Sequence, residues 1–159
     1  MEHVDLVITG GMVITQNAER EIIPNGAVAV RGGRIVAVGL ASEVALRFSA
    51  ARTLDATGRY LFPGLINTHA HLFQTFAKGL GEGLLLYDWV TAVTGPTIEA
   101  MTPRDAYLAT ILGGLESIRS GTTTVLDYQY PLTDPTMPRG FAQGFLDLGL
   151  RGILGLGLT

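Results

Sequence analysis

The sequence predicts an α/β fold in which a β-only segment of short strands leads into a run where strands alternate with helices. Three observations predict it. Up to about Asp55, β-branched stretches such as "VDLVITGG", "MVIT", "GAVAV" and "GGRIVAVG" are cut by glycines, the texture of antiparallel strands. From Leu61 on, compact apolar segments are separated by stretches of helical periodicity. Charge is sparse, 16% against 47% hydrophobic residues in a chain of 159, a balance that favours a packed core over disorder.

In the first part, residues 1–58, the clearest element is the hairpin "VAVRGGRIVAVG", where Gly32 and Gly33 can supply the positive φ that a two-residue turn demands. The second part, residues 59–159, opens with "GLINTHAH", a compact strand of the buried type. A helix follows over "MTPRDAYLATILGGLESIRSG", with Thr102 as N-cap, Pro103 in the first helical position, Asp105 reaching back in a variant of the capping box and Gly121 as the stop. Its apolar positions Ala106, Leu108, Ala109, Ile111, Leu112, Leu115 and Ile118 recur mostly at spacings of three and four, which predicts one core-facing side. "TTTVLDY" is a second buried strand, followed by a Pro-rich loop around "YPLTDPTMPR", a shorter helix "GFAQGFLDLG" and a third strand "RGILGLGLT" running to the last residue.

The order is βαβαβ, which implies parallel pairing, right-handed crossovers and ligand groups at the carboxyl ends of the strands. The chain closes on an apolar strand with no covering helix. Parallel strands are normally buried on both faces, and three of them would leave long unpaired edges. The expectation is therefore that the sequence is the first part of something larger.

Composition narrows the function classes. A net charge of −3 with no Lys/Arg run argues against a nucleic-acid or anionic-membrane surface, both of which need clustered positive charge. Without cysteine, a transition-metal site must be built from histidines and carboxylates. The start "MEHVDLVITGGMVI" lacks a basic segment followed by an uninterrupted apolar one, and no apolar run approaches membrane-span length. A soluble cytoplasmic protein with small-molecule partners is the simplest expectation.

Only three histidines occur, and two of them, His69 and His71, sit one residue apart at the end of the strand "GLINTHAH". On a strand, side chains two apart project from one face, so an H-x-H pair presents two imidazoles side by side; on a helix they would diverge by about 200°. Zn²⁺ or Fe²⁺ accepts two such nitrogens, but a catalytic site needs at least a third protein ligand. The motif is half a site. By spacing alone, an H-x-H that arises by chance among three histidines stays open as the alternative. The Gly-rich "KGLGEG" that follows fails the G-x-G-x-x-G dinucleotide pattern because Leu84 takes the last position, and reads as a loop near the site.

"DATGRYLFPGLINTHAHL", "GLLLYDW" and "EAMTPRDAYLATILGGLESIRSGTTTVLDY" together resemble the amidohydrolase superfamily. The resemblance is nearest to the branch containing S-adenosylhomocysteine/methylthioadenosine deaminases, guanine deaminases and triazine hydrolases. It covers nearly all of the chain. It implies the N-terminal portion, about three strands, of a (β/α)₈ metal-dependent hydrolase barrel, together with part of a small β-sandwich domain within residues 1–58. Barrels of this type take about 250 residues, more than the whole of this chain. It also implies that His69 and His71 are metal ligands for one divalent ion, Zn²⁺ favoured and Fe²⁺ the alternative, and that the remaining ligands and acid–base groups come from later strands. By the same resemblance Trp89 matches an aromatic residue beside the substrate and Glu99 a carboxylate that contacts ribose, though the Trp89-to-Glu99 spacing is one residue longer than in the nucleoside-using members. Asp127, at the end of the second barrel strand, joins them as a candidate substrate contact. Each keeps a plainer alternative: Trp89 a loop anchor, Glu99 a helix-entry charge, Asp127 a cap or turn former.

The function so implied is hydrolysis of a carbon–nitrogen bond, deamination of an N-heterocycle or nucleoside derivative by a metal-activated water, with homo-oligomerisation a further implication. The alternative within the family is a chloro- or alkylamino-triazine hydrolase. The alternative of another class is a non-catalytic fragment that only folds or self-associates, and the 159-residue chain alone is expected to be inactive.

Overall fold

The computed structural model describes residues 1–130 and 134–157. Part of the expected Pro-rich loop, residues 131–133, and the end of the expected third strand, residues 158–159, lie outside the described residues. Contacts divide the chain into two compact units, Met1–Pro63 and Gly64–Thr159.

The first unit is one sheet in the order β3-β2-β1-β4, built from β1 (Glu2–Ile14), β2 (Ile22–Arg31), β3 (Arg34–Leu40) and β4 (Phe48–Asp55), with β5 (Tyr60–Leu61) pairing with β1. β1 pairs antiparallel with β2, and β2 with β3 through the expected hairpin, closed at Arg31 and Arg34 with positive φ at both Gly32 and Gly33. Two expectations are corrected. "VDLVITGG" and "MVIT" are one strand, because the glycine pair does not turn the chain: Gly10, at φ 84, gives a bulge, and the register against β2 shifts on both sides of Gly11. The segment is also not antiparallel throughout. A short helix, α1 (Ala41–Arg47), intervenes after β3, so β4 returns parallel to β1. α1 places Val44 in a buried cluster with Val4, Ala27, Ala29 and Phe48.

The second unit holds a parallel sheet in the order β6-β7-β8, from β6 (Leu65–Ala70), β7 (Thr122–Gln129) and β8 (Arg151–Leu156). A 3-10 turn (Leu72–Ala77), α2 (Leu86–Trp89), a π-helical stretch (Val90–Thr94), α3 (Gly95–Ala100) and α4 (Pro103–Arg119) lie between β6 and β7, and α5 (Met137–Leu148) between β7 and β8. Three parallel strands joined through helices are the expected βαβαβ order. α4 starts as expected: Thr102 Oγ1 accepts from the Asp105 N–H, and Asp105 Oδ2 accepts from the Thr102 N–H at 2.9 Å. α5 begins earlier than expected, at Met137, and ends on Gly149 in the left-handed conformation.

The helices cover one face of this sheet. Val125 of β7 packs with Leu72, Phe145 and Leu150, and Leu154 of β8 packs against the buried cluster that contains Phe73, Met137 and Phe141. Each large apolar side chain buried there contributes roughly 1.5–3 kcal/mol. The opposite face is open: Arg151 Nη1 donates to Thr124 Oγ1 across it, and Ile153 is 58% exposed.

Burial departs from the sequence reading in two places. β6, expected to be buried, is exposed almost throughout, with Ile66 67% exposed, because it has one neighbouring strand in the sheet. The core-facing side of α4 is made of Ala106, Ala109, Thr110, Gly113 and Gly114, whereas Leu112, Leu115 and Ile118 are exposed. Small residues win that face because α5 comes close: a Cβ on Gly144 would stand 2.6 Å from Thr110 Cβ. No helix among the described residues is long and apolar enough to cross a membrane.

Candidate metal centre

β6 is tied to β7 at its start by the Leu65 N–H donating to the Gly121 carbonyl, and at its end by Ala70 standing opposite Asp127. Between Asn67 and Ala70 the register slips, and the His69 N–H donates to Asn67 Oδ1 at 3.1 Å. His69 therefore lies on the strand, while His71 stands one residue beyond its end, at φ −134 and ψ 77, leading into the 3-10 turn. This corrects the expectation that one strand carries both. The rings nevertheless meet, with centroids 4.9 Å apart and planes at 85°.

The chemistry of the pair is set by its surroundings. His71 Nδ1 lies 2.7 Å from the Tyr128 backbone carbonyl. A carbonyl can only accept, so Nδ1 carries the proton and Nε2 is left with a free lone pair. That is the tautomer of a metal-ligating histidine whose other nitrogen is held by the protein. The ring packs on Tyr130, centroid to centroid 4.9 Å, with Phe73 and Tyr128 also against it. Two imidazoles with one fixed lone pair suit a borderline-soft divalent ion. Among the described residues no group of three His, Asp or Glu side chains comes together; the set present is two nitrogens. The remaining histidine, His3, lies in the first unit, with Nδ1 3.5 Å from Ser49 Oγ.

Asp127 lies on the helix-facing side of β7, two residues from Val125 and so on the same face. It is wholly buried. Its Oδ1 accepts from the Leu72 N–H at 2.8 Å and its Oδ2 from Gln129 Nε2 at 2.6 Å. Burial pushes its pKa up to about 6, against the opposing pull of those two donors and of His71. Enclosed in this way, the carboxylate takes the capping role that the sequence left open.

Trp89 donates from Nε1 to the Leu80 carbonyl at 3.3 Å, which anchors the loop between the 3-10 turn and α2. Trp89 also lines a cleft of about 650 Å³ together with His71, Asn67, Lys78 and Thr122. Glu99, on α3, is exposed and does not line that cleft; the structure brings Trp89 and His71 together and leaves Glu99 apart. Sequence reasoning missed Tyr128, Gln129 and Tyr130. The Tyr128 group that matters is a backbone carbonyl, which no residue type signals, whereas two tyrosines flanking a glutamine at a strand end were a visible cue.

The amidohydrolase family profile matches residues 60–156. Over 153 residues the chain is 35% identical to a 5-methylthioadenosine/S-adenosylhomocysteine deaminase of Symbiobacterium thermophilum, covering 96% of this chain and 34% of that protein. Among solved structures it resembles an adenosine deaminase from Xanthomonas campestris with bound zinc (TM-score 0.86, 30% identity, 96% of this chain and 34% of that one). It also resembles a triazine hydrolase from Arthrobacter aurescens (TM-score 0.82, 26% identity, 95% and 35%). The chain spans about a third of the length of the relatives it matches.

Proposed function

Since the chain belongs to the amidohydrolase family, we propose that His69 and His71 are two ligands of a mononuclear divalent metal centre in a hydrolase that removes the amino group from an N-heterocycle or nucleoside derivative. The observation that carries this is the His71 ring, whose Nδ1–H is held by Tyr128 at 2.7 Å, leaving Nε2 as its ligating nitrogen in a ring whose centroid is 4.9 Å from that of His69. Zinc is favoured over iron because the adenosine deaminase that resembles this chain holds zinc. When bound, the ion supplies Lewis acidity that activates water for attack on an electron-poor ring carbon. The chain's own residues hold and orient: Tyr128 fixes the tautomer of His71, Tyr130 and Phe73 pack its ring, and Trp89 offers a flat aromatic face on the cleft that His71 borders, suited to a planar heterocycle. Glu99 as a ribose contact keeps no support from the cleft. Substrates of this kind go with a cytoplasmic setting.

Deamination is favoured over triazine dechlorination because the 35%-identical relative is named a deaminase, whereas the likeness to triazine hydrolase rests on 26% identity. The test is a chimera in which residues 1–159 replace the matching part of the Symbiobacterium relative, assayed with zinc for ammonia release from 5′-methylthioadenosine, adenosine and guanine and for chloride release from a chlorotriazine. Ammonia release that His71→Ala abolishes supports the reading. Chloride release without ammonia release, or turnover indifferent to His71→Ala, contradicts it.

A further inference from the structure

We infer that Asp127 and Gln129 are positioning residues for His71: the buried carboxylate, held by the glutamine amide, clamps the backbone at which His71 leaves β6 and so fixes where its free nitrogen points. The inference deepens the metal-centre reading and rests on it.

The 3-10 turn Leu72–Ala77 begins directly after His71, yet His71 makes no side-chain cap to it. It cannot do so with Nδ1, because that nitrogen already donates to the Tyr128 carbonyl. The turn's first N–H, that of Leu72, is instead taken by Asp127 Oδ1 at 2.8 Å, a cap supplied from the neighbouring strand. The backbone ladder between β6 and β7 ends at Ala70 and Asp127. Beyond it, His71 is held from β7 twice, by the Tyr128 carbonyl on its ring and by the Asp127 carboxylate on the next peptide. Removing either tie frees one torsional approach to the same Nε2.

Gln129 explains why the carboxylate stays put. It is wholly buried on the same face, and its Nε2 donates to Asp127 Oδ2 at 2.6 Å, while its own Oε1 has no partner among the described residues. A buried amide oxygen without a partner is costly, and an apolar side chain would fill the position without that cost. The arrangement makes sense as a brace on Asp127.

The test uses the whole chain, first without metal. In wild type, nitrogen NMR is expected to show the His71 ring as the Nδ1–H tautomer, and the Leu72 amide is expected to exchange slowly. Asp127→Ala is expected to mix the tautomers, speed Leu72 exchange and weaken zinc binding by about tenfold or more. Asp127→Asn is expected to rescue all three to within a few-fold, because its carbonyl oxygen still accepts from Leu72 and its new amide nitrogen can donate to Gln129 Oε1 once that amide rotates. Gln129→Leu, which keeps Asp127, covers the case in which Asp127→Ala fails to fold, and is expected to speed Leu72 exchange and loosen the tautomer. Unchanged tautomer and exchange in Asp127→Ala or Gln129→Leu, or equal losses in Asp127→Asn and Asp127→Ala, would overturn the inference. Wild type that binds no zinc would defeat the metal centre, while the two metal-free readings would still decide the role of Asp127.

Discussion

His71 Nδ1 and the Tyr128 carbonyl, 2.7 Å apart, join the first residue beyond β6 to the penultimate residue of β7. This bond ties the orientation of an imidazole to the pairing of two parallel strands. The free nitrogen of His71 is a consequence of the sheet.

His71→Asn should therefore separate structure from chemistry. Its side-chain N–H can reach the Tyr128 carbonyl much as Nδ1 does, but it has no counterpart to Nε2. Zinc binding should vanish while unfolding in urea stays close to wild type. His71→Ala should lose binding and, with the hydrogen bond gone, also about 0.5–1.5 kcal/mol of stability.

The close approach of α4 and α5 should make Gly144 intolerant of any side chain. A Cβ there meets Thr110 at 2.6 Å and the Tyr107 carbonyl at 3.2 Å, both on a helix packed in place. Gly144→Ala gains helix propensity yet should still destabilise the second unit, by about 1–3 kcal/mol from overpacking. Urea unfolding measures it, and a stabilised variant would mean that the helices separate at little cost.

Acid should loosen the start of α4 before the rest of that helix. The Thr102 hydroxyl and then the Thr102 N–H hold the Asp105 carboxyl below its ordinary 3.8. A depressed folded value means that the ionised box contributes stability above the unfolded value, and that this contribution is lost as pH falls through the folded one. Amide protection at Thr102 and Asp105, relative to the intrinsic rate at each pH, should fall below about pH 4, sooner than at Ala109. Equal loss along the helix would contradict this.

The open edges should make the chain self-associate. Leu65 and Ile66 on β6 and Ile153 on β8 are each more than half exposed, and unpaired parallel edges template further pairing. Sedimentation should show association rising with concentration, reduced in Ile66→Lys. A strictly monomeric wild type at high concentration would refute it.

What the sequence discloses is what local chemistry decides. The box at Thr102 and Asp105 and the turn at Gly32–Gly33 are legible because each is complete within a few residues. The bulge at Gly10 is not, since a glycine pair reads as a turn until a partner strand is there to slip against. Nor is the parallel return of β4, which depends on α1 and on pairing across some forty-odd residues of chain. The face of α4 is not legible either, because large apolar residues signal burial more loudly than the glycines that let two helices touch. At the site, the histidine pair is visible by its spacing, whereas the carbonyl that selects its tautomer carries no residue label. Asp127 is ambiguous from sequence because a strand-end carboxylate can face either side, and only its contacts with Leu72 and Gln129 show which.

The central claim, that His69 and His71 form two ligands of one metal centre, is tested most directly by titrating Zn²⁺ into the 159-residue chain while following the imidazole nitrogens of His3, His69 and His71. The account predicts weak binding that shifts His69 and His71 together, moves His71 at Nε2 with Nδ1 still protonated, leaves His3 unmoved, and disappears in both His69→Ala and His71→Ala. Binding that survives either substitution, or that deprotonates His71 at Nδ1, would contradict it.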